Sequence, residues 1–149
     1  MPHFGRMDET AMPEHEAALL RARLHLQSGR RRLRQGKLRA GIATMYDALY
    51  SAMRAYALDP ANRQSLGGAD RLEAAELYEA LARAGAVDGV FDFAKLESLA
   101  EDAAAYAVPV YDLGYNPAWL IEGVESVMTQ LGALPFDEAT LPDELPGTF

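Results

Sequence analysis

The sequence contains no cysteine among its 149 residues. This absence excludes disulfides, cysteine-ligated zinc, iron–sulfur clusters and a cysteine nucleophile. Histidine is scarce as well, and none of the three forms the Glu-x-x-His pair that binds metal inside helix bundles; they are His3, His15 and His25. We therefore expect no metal site, no resident cofactor and no catalytic residue of these kinds.

Long apolar runs are also missing. No stretch approaches the roughly 18 apolar residues of a membrane-spanning helix, and residues 1–10 lack the basic-then-apolar pattern of a signal peptide. We therefore expect a cytoplasmic protein that makes no membrane contact. Glycine-rich phosphate loops, dinucleotide-binding fingerprints and the G-x-S-x-G motif are absent too.

The residues that are abundant favour helices. Hydrophobic residues make up 50% of the chain, much of it alanine and leucine, and the mean hydropathy of −0.14 is ordinary for a globular protein. Val, Ile and Thr are sparse, which disfavours strands. The length suits one domain. We predict an all-α, mostly antiparallel bundle of about five helices.

Apolar periodicity places the first two helices. The first begins near Pro13 and carries a stripe at steps of three and four, formed by Leu19, Ala22, Leu26, Gly29 and Leu33. Gly36 separates it from a second helix that ends at Asp59-Pro60, because proline disfavours a helical residue before it. The second helix is rich in small residues, and we expect it to be central.

Capping signals place three more helices after a predicted loop over residues 59–69. Asp70, followed by Glu73 three residues later, has the pattern of a capping box for the third helix. The last two helices each have an N-cap and a terminating Pro or Gly, namely Asp92 with Pro109 and Asn116-Pro117 with Gly132. The bundle domain thus spans 13–133, between a flexible lead-in at 1–12 and an acidic, proline-rich tail at 134–149.

The net charge of −8 is unevenly distributed. Residues 1–63 carry 11 Lys and Arg against 6 Asp and Glu, whereas residues 64–149 carry 3 against 16. A polarised chain can bind anions even when its total charge is negative. It can equally pack its basic early helices beside its acidic later ones.

The helix pattern is similar to that of a known family. Residues 17–58 form a long helix, a glycine break and a helix of small residues and tyrosine, with the characteristic positions Gly36, Ala40, Tyr46, Ala48, Ala52 and Ala55. Residues 77–112 add two helices joined by a short polar turn. Over 17–131 the chain resembles a HEPN domain of the non-catalytic, nucleotidyltransferase-companion type. That resemblance implies a helical bundle that forms a homodimer, with a companion enzyme or a nucleotide as partner.

Catalytic HEPN domains are ribonucleases with an Arg-x4-6-His motif, and this chain departs from that pattern at each of its histidines. The resemblance therefore implies a binding or partner module. A second likeness is to a single tetratricopeptide repeat, through Gly36, Ala48, Ala55 and Pro60. No second copy follows at the period of that repeat, and about three are needed for a stable array. A protein–protein adaptor stays as one alternative.

The densest charge feature has six cations within ten residues: Arg30, Arg31, Arg32, Arg34, Lys37 and Arg39. This basic run is a candidate phosphate-binding site, and phosphate contacts make binding sensitive to salt. The second functional hypothesis, an RNA- or nucleotide-acting enzyme with an atypical site, depends on it. The structural alternative is that these cations oppose a helix dipole and pair with the acidic third and fourth helices.

Two sets of aromatic residues are candidate contact surfaces. Tyr46, Tyr50 and Arg54 step by four and share one helix face, where they can line a groove for a nucleotide base or serve as core tyrosines. The second set is Tyr111, Tyr115 and Trp119. The two tyrosines lie within the Pro109–Pro117 segment, and the tryptophan follows it. They are candidate partner contacts, since aromatic residues are enriched at interfaces, or they can close one end of the bundle.

Overall fold

The computed structural model describes residues 11–106, 109, 113 and 115–142. Within them the secondary structure is helical without strands, which confirms the all-α prediction. The α-helices are α1 (Glu14–Arg34), α2 (Leu38–Leu58), α3 (Arg63–Leu66), α4 (Ala74–Arg83), α5 (Phe93–Ala105) and α6 (Pro117–Gln130). The five longer helices are the predicted ones, and α3 is a single turn inside the predicted 59–69 loop. No described helix is both long and apolar enough to cross a membrane.

Helix α2 lies at the centre of the bundle, as the sequence predicts. It packs antiparallel to α1 and also contacts α4, α5 and α6. Four of its large apolar side chains are fully buried, namely Ile42, Met45, Leu49 and Met53. Small residues beside this stripe, including Ala48 and Ala55, are buried too. They leave room for neighbours on more than one side.

Glycines let α1 and α2 approach each other closely. Gly36 has a φ of +77° in the turn between them, a conformation that glycine adopts without steric cost. Gly29 on α1 lies against Met45, and Gly41 on α2 lies against Leu33, where an added Cβ atom would come within 2.6 Å of Leu33 Cδ2. Gly29 and Gly41 thus provide space for the side chains of the facing helix.

The predicted capping box at Asp70 is wrong. Asp70 lies inside a short 3-10 turn, Ala69–Arg71, and α4 begins three residues later, with Glu73 at the N-cap. The reason is tertiary: Ala69 is buried in the core and Leu72 packs against it. The turn contacts α2, and this packing determines where the helix begins.

The predicted caps of the last two helices are confirmed. Asp92 Oδ1 accepts a 3.0 Å hydrogen bond from the Lys95 amide at the start of α5, and Asn116 Oδ1 accepts one of 3.1 Å from the Trp119 amide at the start of α6. However, α5 ends at Ala105, before Pro109, because Tyr106 adopts a left-handed conformation with φ at 55°.

The segment 134–142, here called the C-terminal strap, packs against α1 and the core. Leu134 and Phe136 contact the main core, while Leu141 packs with Leu20 and Leu24 on α1. A 3-10 turn, Glu138–Thr140, lies within the strap. The remaining residues of the predicted tail, 143–149, and most of the predicted lead-in lie outside the described residues.

Candidate functional site

Arg30 and Arg32 of the basic run contact groups outside their own helix. The Arg30 guanidinium pairs with Glu125 on α6, and its Nη1 atom lies 3.6 Å from Glu138 Oε1 on the strap. Arg32 Nη1 donates a 2.6 Å hydrogen bond to the Oγ1 atom of buried Thr44. These contacts tie the end of α1 to α2, to α6 and to the strap.

Arg39 caps a helix other than its own. Its Nη1 atom donates to the carbonyl oxygens of Ala103, at 3.0 Å, and Asp102, at 3.3 Å, in the last turn of α5. The guanidinium carbon lies 4.8 Å from the ring centroid of Tyr106. Arg39 thus satisfies carbonyls that lack partners within their helix, and its charge opposes the negative end of the α5 dipole.

The remaining cations of the run differ in position. Arg31 Nη2 lies 3.4 Å from Ser28 Oγ on its own helix. Arg34 is exposed in the last turn of α1, and Lys37 is exposed at the N-cap of α2. In the described part of the chain, no carboxylate forms an ion pair with Arg34. Arg34 and Lys37 are therefore the cations of the run that are placed to meet a ligand from solvent.

Tyr46 makes structural contacts with α5. Its hydroxyl donates to Glu97 Oε2 at 3.2 Å, and its ring is tilted against Phe93 with centroids 5.9 Å apart. Burial, and then the charge of Glu97, raise the pKa of Tyr46 above its usual range. Tyr50 and Arg54 are half-buried on the same helix face. Binding of a nucleotide base at this face stays a prediction.

The candidate aromatic contacts separate into different environments. Trp119 stacks on Phe91 with ring centroids 5.1 Å apart, and Lys95 Nζ lies 4.3 Å from the Trp119 ring centroid. Tyr115 is half-buried and packs against the core, and its burial raises the pKa of its hydroxyl. Tyr111 lies outside the described residues.

One cleft brings together residues from two of the predicted sets. It has a volume of about 480 Å³ and lies between the end of α1 and the start of α6. Its lining consists of Arg30, Leu33, Arg34, Tyr115, Pro117 and Ile121. Two guanidinium groups of the basic run thus share a cavity with Tyr115 of the aromatic segment.

The chemistry of this cleft suits an amphipathic anion. Leu33, Ile121 and the Tyr115 ring offer apolar surface, while Arg34 supplies an exposed positive charge at the rim. A hydroxyl with a raised pKa stays protonated at neutral pH and can donate a hydrogen bond. The first turn of α6 adds the positive end of its dipole, a smaller contribution than a full charge.

The structure has two further clefts, one beside the first and one at a different place. One, of about 300 Å³, adjoins the first at Arg30 and has Glu125, Glu138 and Phe136 in its lining. The other, of about 480 Å³, lies beside Gly67, Gly68 and Arg83. In the ranges that the structure describes, no group of three or more His, Asp or Glu side chains could hold a metal ion.

Sequence reasoning missed the residues that join the two sets. Leu33 belongs to the predicted apolar stripe and Pro117 to a predicted cap, while Ile121 carries no distinctive signal. The available clue is spacing: Arg30 and Arg34 are four residues apart on α1, and Pro117 and Ile121 are four apart on α6, so each pair shares a helix face. Which two faces meet is determined by tertiary packing.

Comparisons with protein-family models, with functionally characterised proteins and with solved structures found no match. The all-helical architecture is therefore established by the structure of this chain itself. Its function is to be inferred from the cleft and from the residues around it.

Proposed function

We propose that this chain is a non-catalytic, HEPN-like binding module that holds a nucleotide in the cleft between α1 and α6. The base packs against Tyr115 and Ile121, and the phosphate lies at Arg34. One observation carries the proposal: Arg34, an exposed cation of the basic run, and Tyr115, the half-buried tyrosine of the aromatic segment, line the same cavity.

The size and lining of the cleft support a ligand of this class. Small-molecule pockets typically measure about 300–1,000 Å³ and combine apolar walls with a few placed polar groups, and this cleft has about 480 Å³. A tyrosine ring stacks on a base of any identity, because every base has an aromatic face. A guanidinium is suited to a phosphate, which it can bind through two parallel hydrogen bonds.

The non-catalytic part of the proposal draws support from the composition of the lining. Its side chains are two guanidiniums, a tyrosine and three apolar groups. General-base catalysis requires a group that accepts a proton near neutral pH, and none of these side chains does so. The sequence also lacks the Arg-x4-6-His motif of HEPN ribonucleases.

The RNA-acting alternative relies on the whole basic run and has less support. Arg30, Arg32 and Arg39 contact acidic side chains, a hydroxyl or helix carbonyls. A strand that tracks along the run would have to displace those contacts. A single ligand at Arg34 leaves Arg32 and Arg39 undisturbed.

The proposal includes a partner role, as a homodimer or beside a companion enzyme such as a nucleotidyltransferase. Light scattering across a salt series tests the dimer. A mass that stays dimeric at high salt supports a hydrophobic interface between copies, because charge contacts weaken with ionic strength. A monomer at all salt concentrations would contradict the homodimer and leave nucleotide binding to be judged separately.

Isothermal titration calorimetry with a panel of adenine and guanine nucleotides tests the ligand. We expect binding that weakens about tenfold in Arg34→Gln, the scale of a lost hydrogen bond to a charged group. Tyr115→Leu should also weaken binding, since it removes the ring but keeps the site apolar. Arg83→Gln is the matched control, because Arg83 is an exposed cation on α4, with a contact of 3.9 Å to Glu79. Equal affinity in wild type and Arg34→Gln would contradict the proposal.

A further inference from the structure

Arg30 links the cleft to two carboxylates. Its side chain lines the cavity and also contacts Glu125 on α6 and Glu138 on the C-terminal strap. The exposed fractions are 28% for the Arg30 side chain, 29% for Glu125 and 55% for Glu138. The positive charge of Arg30 is therefore already neutralised by these two carboxylates when no ligand is bound.

The strap holds Glu138 in place beside Arg30. Asp137 Oδ1 accepts a 2.9 Å hydrogen bond from the Ala139 amide, and Thr140 Oγ1 donates to the Asp137 carbonyl at 2.6 Å. On one side of this turn, the Arg23 guanidinium lies 5.5 Å from the Phe136 ring centroid. On the other side, Leu141 packs on α1. Glu138 is therefore positioned by contacts on both sides.

The cleft consequently has two ends of opposite character. At its rim, Arg34 is an exposed positive charge. At Arg30, one positive charge faces two negative charges, from Glu125 and Glu138, and an acidic cleft continues beyond it. A first anionic group can bind at Arg34, but a second that extends toward Arg30 meets carboxylates. The chain's net charge of −8 adds to this repulsion at longer range.

We propose that Glu138 is a specificity-determining residue that restricts the cleft to nucleotides with a single negative charge. This inference rests on the proposed function, and it narrows the ligand class to small phosphodiesters such as cyclic nucleoside monophosphates. A phosphodiester carries one charge, whereas a terminal phosphate monoester carries roughly −1.5 to −2 at neutral pH. Nucleoside triphosphates and RNA carry several charges and are disfavoured.

The test compares adenosine 3′,5′-cyclic monophosphate, AMP and ATP by isothermal titration calorimetry at constant ionic strength. In the wild-type protein we expect the affinity to fall in that order, by roughly threefold for each added charge, the scale of a solvent-screened charge contact. In Glu138→Gln the three affinities should converge, with ATP gaining most. Glu101→Gln removes the same charge from an exposed position on α5 and should leave the order unchanged.

Glu125→Gln provides a second variant, because Glu125 lies on α6 and its position does not depend on the strap. It should shift the affinities in the same direction as Glu138→Gln. Tighter binding of ATP, or of an RNA oligonucleotide, than of the cyclic nucleotide by wild type would overturn the inference. So would an equal change for all three ligands in Glu138→Gln. Failure of the proposed function is a different result, in which no nucleotide binds to the wild-type protein.

Discussion

Gly29 on α1 lies directly against Met45 on α2: a Cβ atom at position 29 would lie 2.8 Å from the Met45 sulfur and 3.3 Å from the Met45 backbone nitrogen. Both residues are buried, and Met45 has no exposed surface. Separations under 3.0 Å require something to move. The absence of a side chain at 29 therefore sets how closely the two longest helices can approach.

Gly29→Ala should destabilise the protein by about 1 kcal/mol. Overpacking of a core costs about 1–3 kcal/mol, and the better helix propensity of alanine returns up to about 1 kcal/mol. Urea unfolding followed by circular dichroism gives the free energy of unfolding. A double-mutant cycle with Met45→Ala provides the control, since the new methyl group should cost less where Met45 is shortened. An equal cost in both backgrounds would contradict the close contact.

Tyr46 should make stability fall at alkaline pH. Its pKa is raised in the folded protein by burial and by Glu97, so its stabilising effect is complete below the unfolded value of about 10. Above that pH the unfolded chain ionises first, and stability is lost as the pH rises toward the folded pKa. Denaturant unfolding between neutral pH and pH above about 10 measures this effect.

Tyr46→Phe is the matched variant for this measurement. At neutral pH it should be less stable by about 1 kcal/mol, because the hydrogen bond to Glu97 is lost. Its alkaline loss should be smaller than that of the wild type, so the stability difference shrinks as the pH rises. A difference that stays constant across the series would be evidence against the assigned cause.

Arg39→Gln should destabilise α5 by about 1 kcal/mol, since the variant loses a cation at the end of the helix dipole and the contact with the Tyr106 ring. Amide hydrogen exchange in the last turn of α5 should increase in parallel. Arg39→Lys is the control: it keeps the charge but not the planar guanidinium, and we expect an intermediate effect. Unchanged exchange in Arg39→Gln would mean that these contacts add nothing.

Asn116→Ala should cost about 1 kcal/mol, the usual consequence of losing an N-cap side chain. Asn116 accepts from the Trp119 amide, so the start of α6 should fray while its later turns stay protected. Asn116→Asp keeps an acceptor oxygen and should retain most of the stability. Thermal unfolding of the three proteins checks this, and a fully stable alanine variant would show that the cap is dispensable.

Local signals in the sequence predict a structural feature correctly where that feature depends on one short segment of the chain. The Asp92 and Asn116 caps, the Gly36 turn and the central position of α2 follow from short-range pattern, and each is found in the structure. Asp70 was misassigned because burial of Ala69 outweighed a favourable capping sequence. Tertiary contact overrode local propensity there.

The sequence predicted some of the residues that line the cleft, but not that they lie together. Arg30, Arg34 and Tyr115 were each singled out, but in separate sets, because nothing local shows that α1 ends beside the start of α6. Glu125 and Glu138 lie 95 and 108 residues after Arg30 and gave no sign of pairing with it. Contacts over such distances depend on the assembled bundle.

Arg23 Nε donates a 3.0 Å hydrogen bond to the carbonyl of Ala133, 110 residues further along the chain. During synthesis on the ribosome, α1 and α2 can pair early because they are adjacent in sequence. The side of α1 that carries Leu20 and Leu24 is covered by the C-terminal strap only after Leu141 has been synthesised. The nascent chain must therefore carry this apolar surface until the five later α-helices have been synthesised.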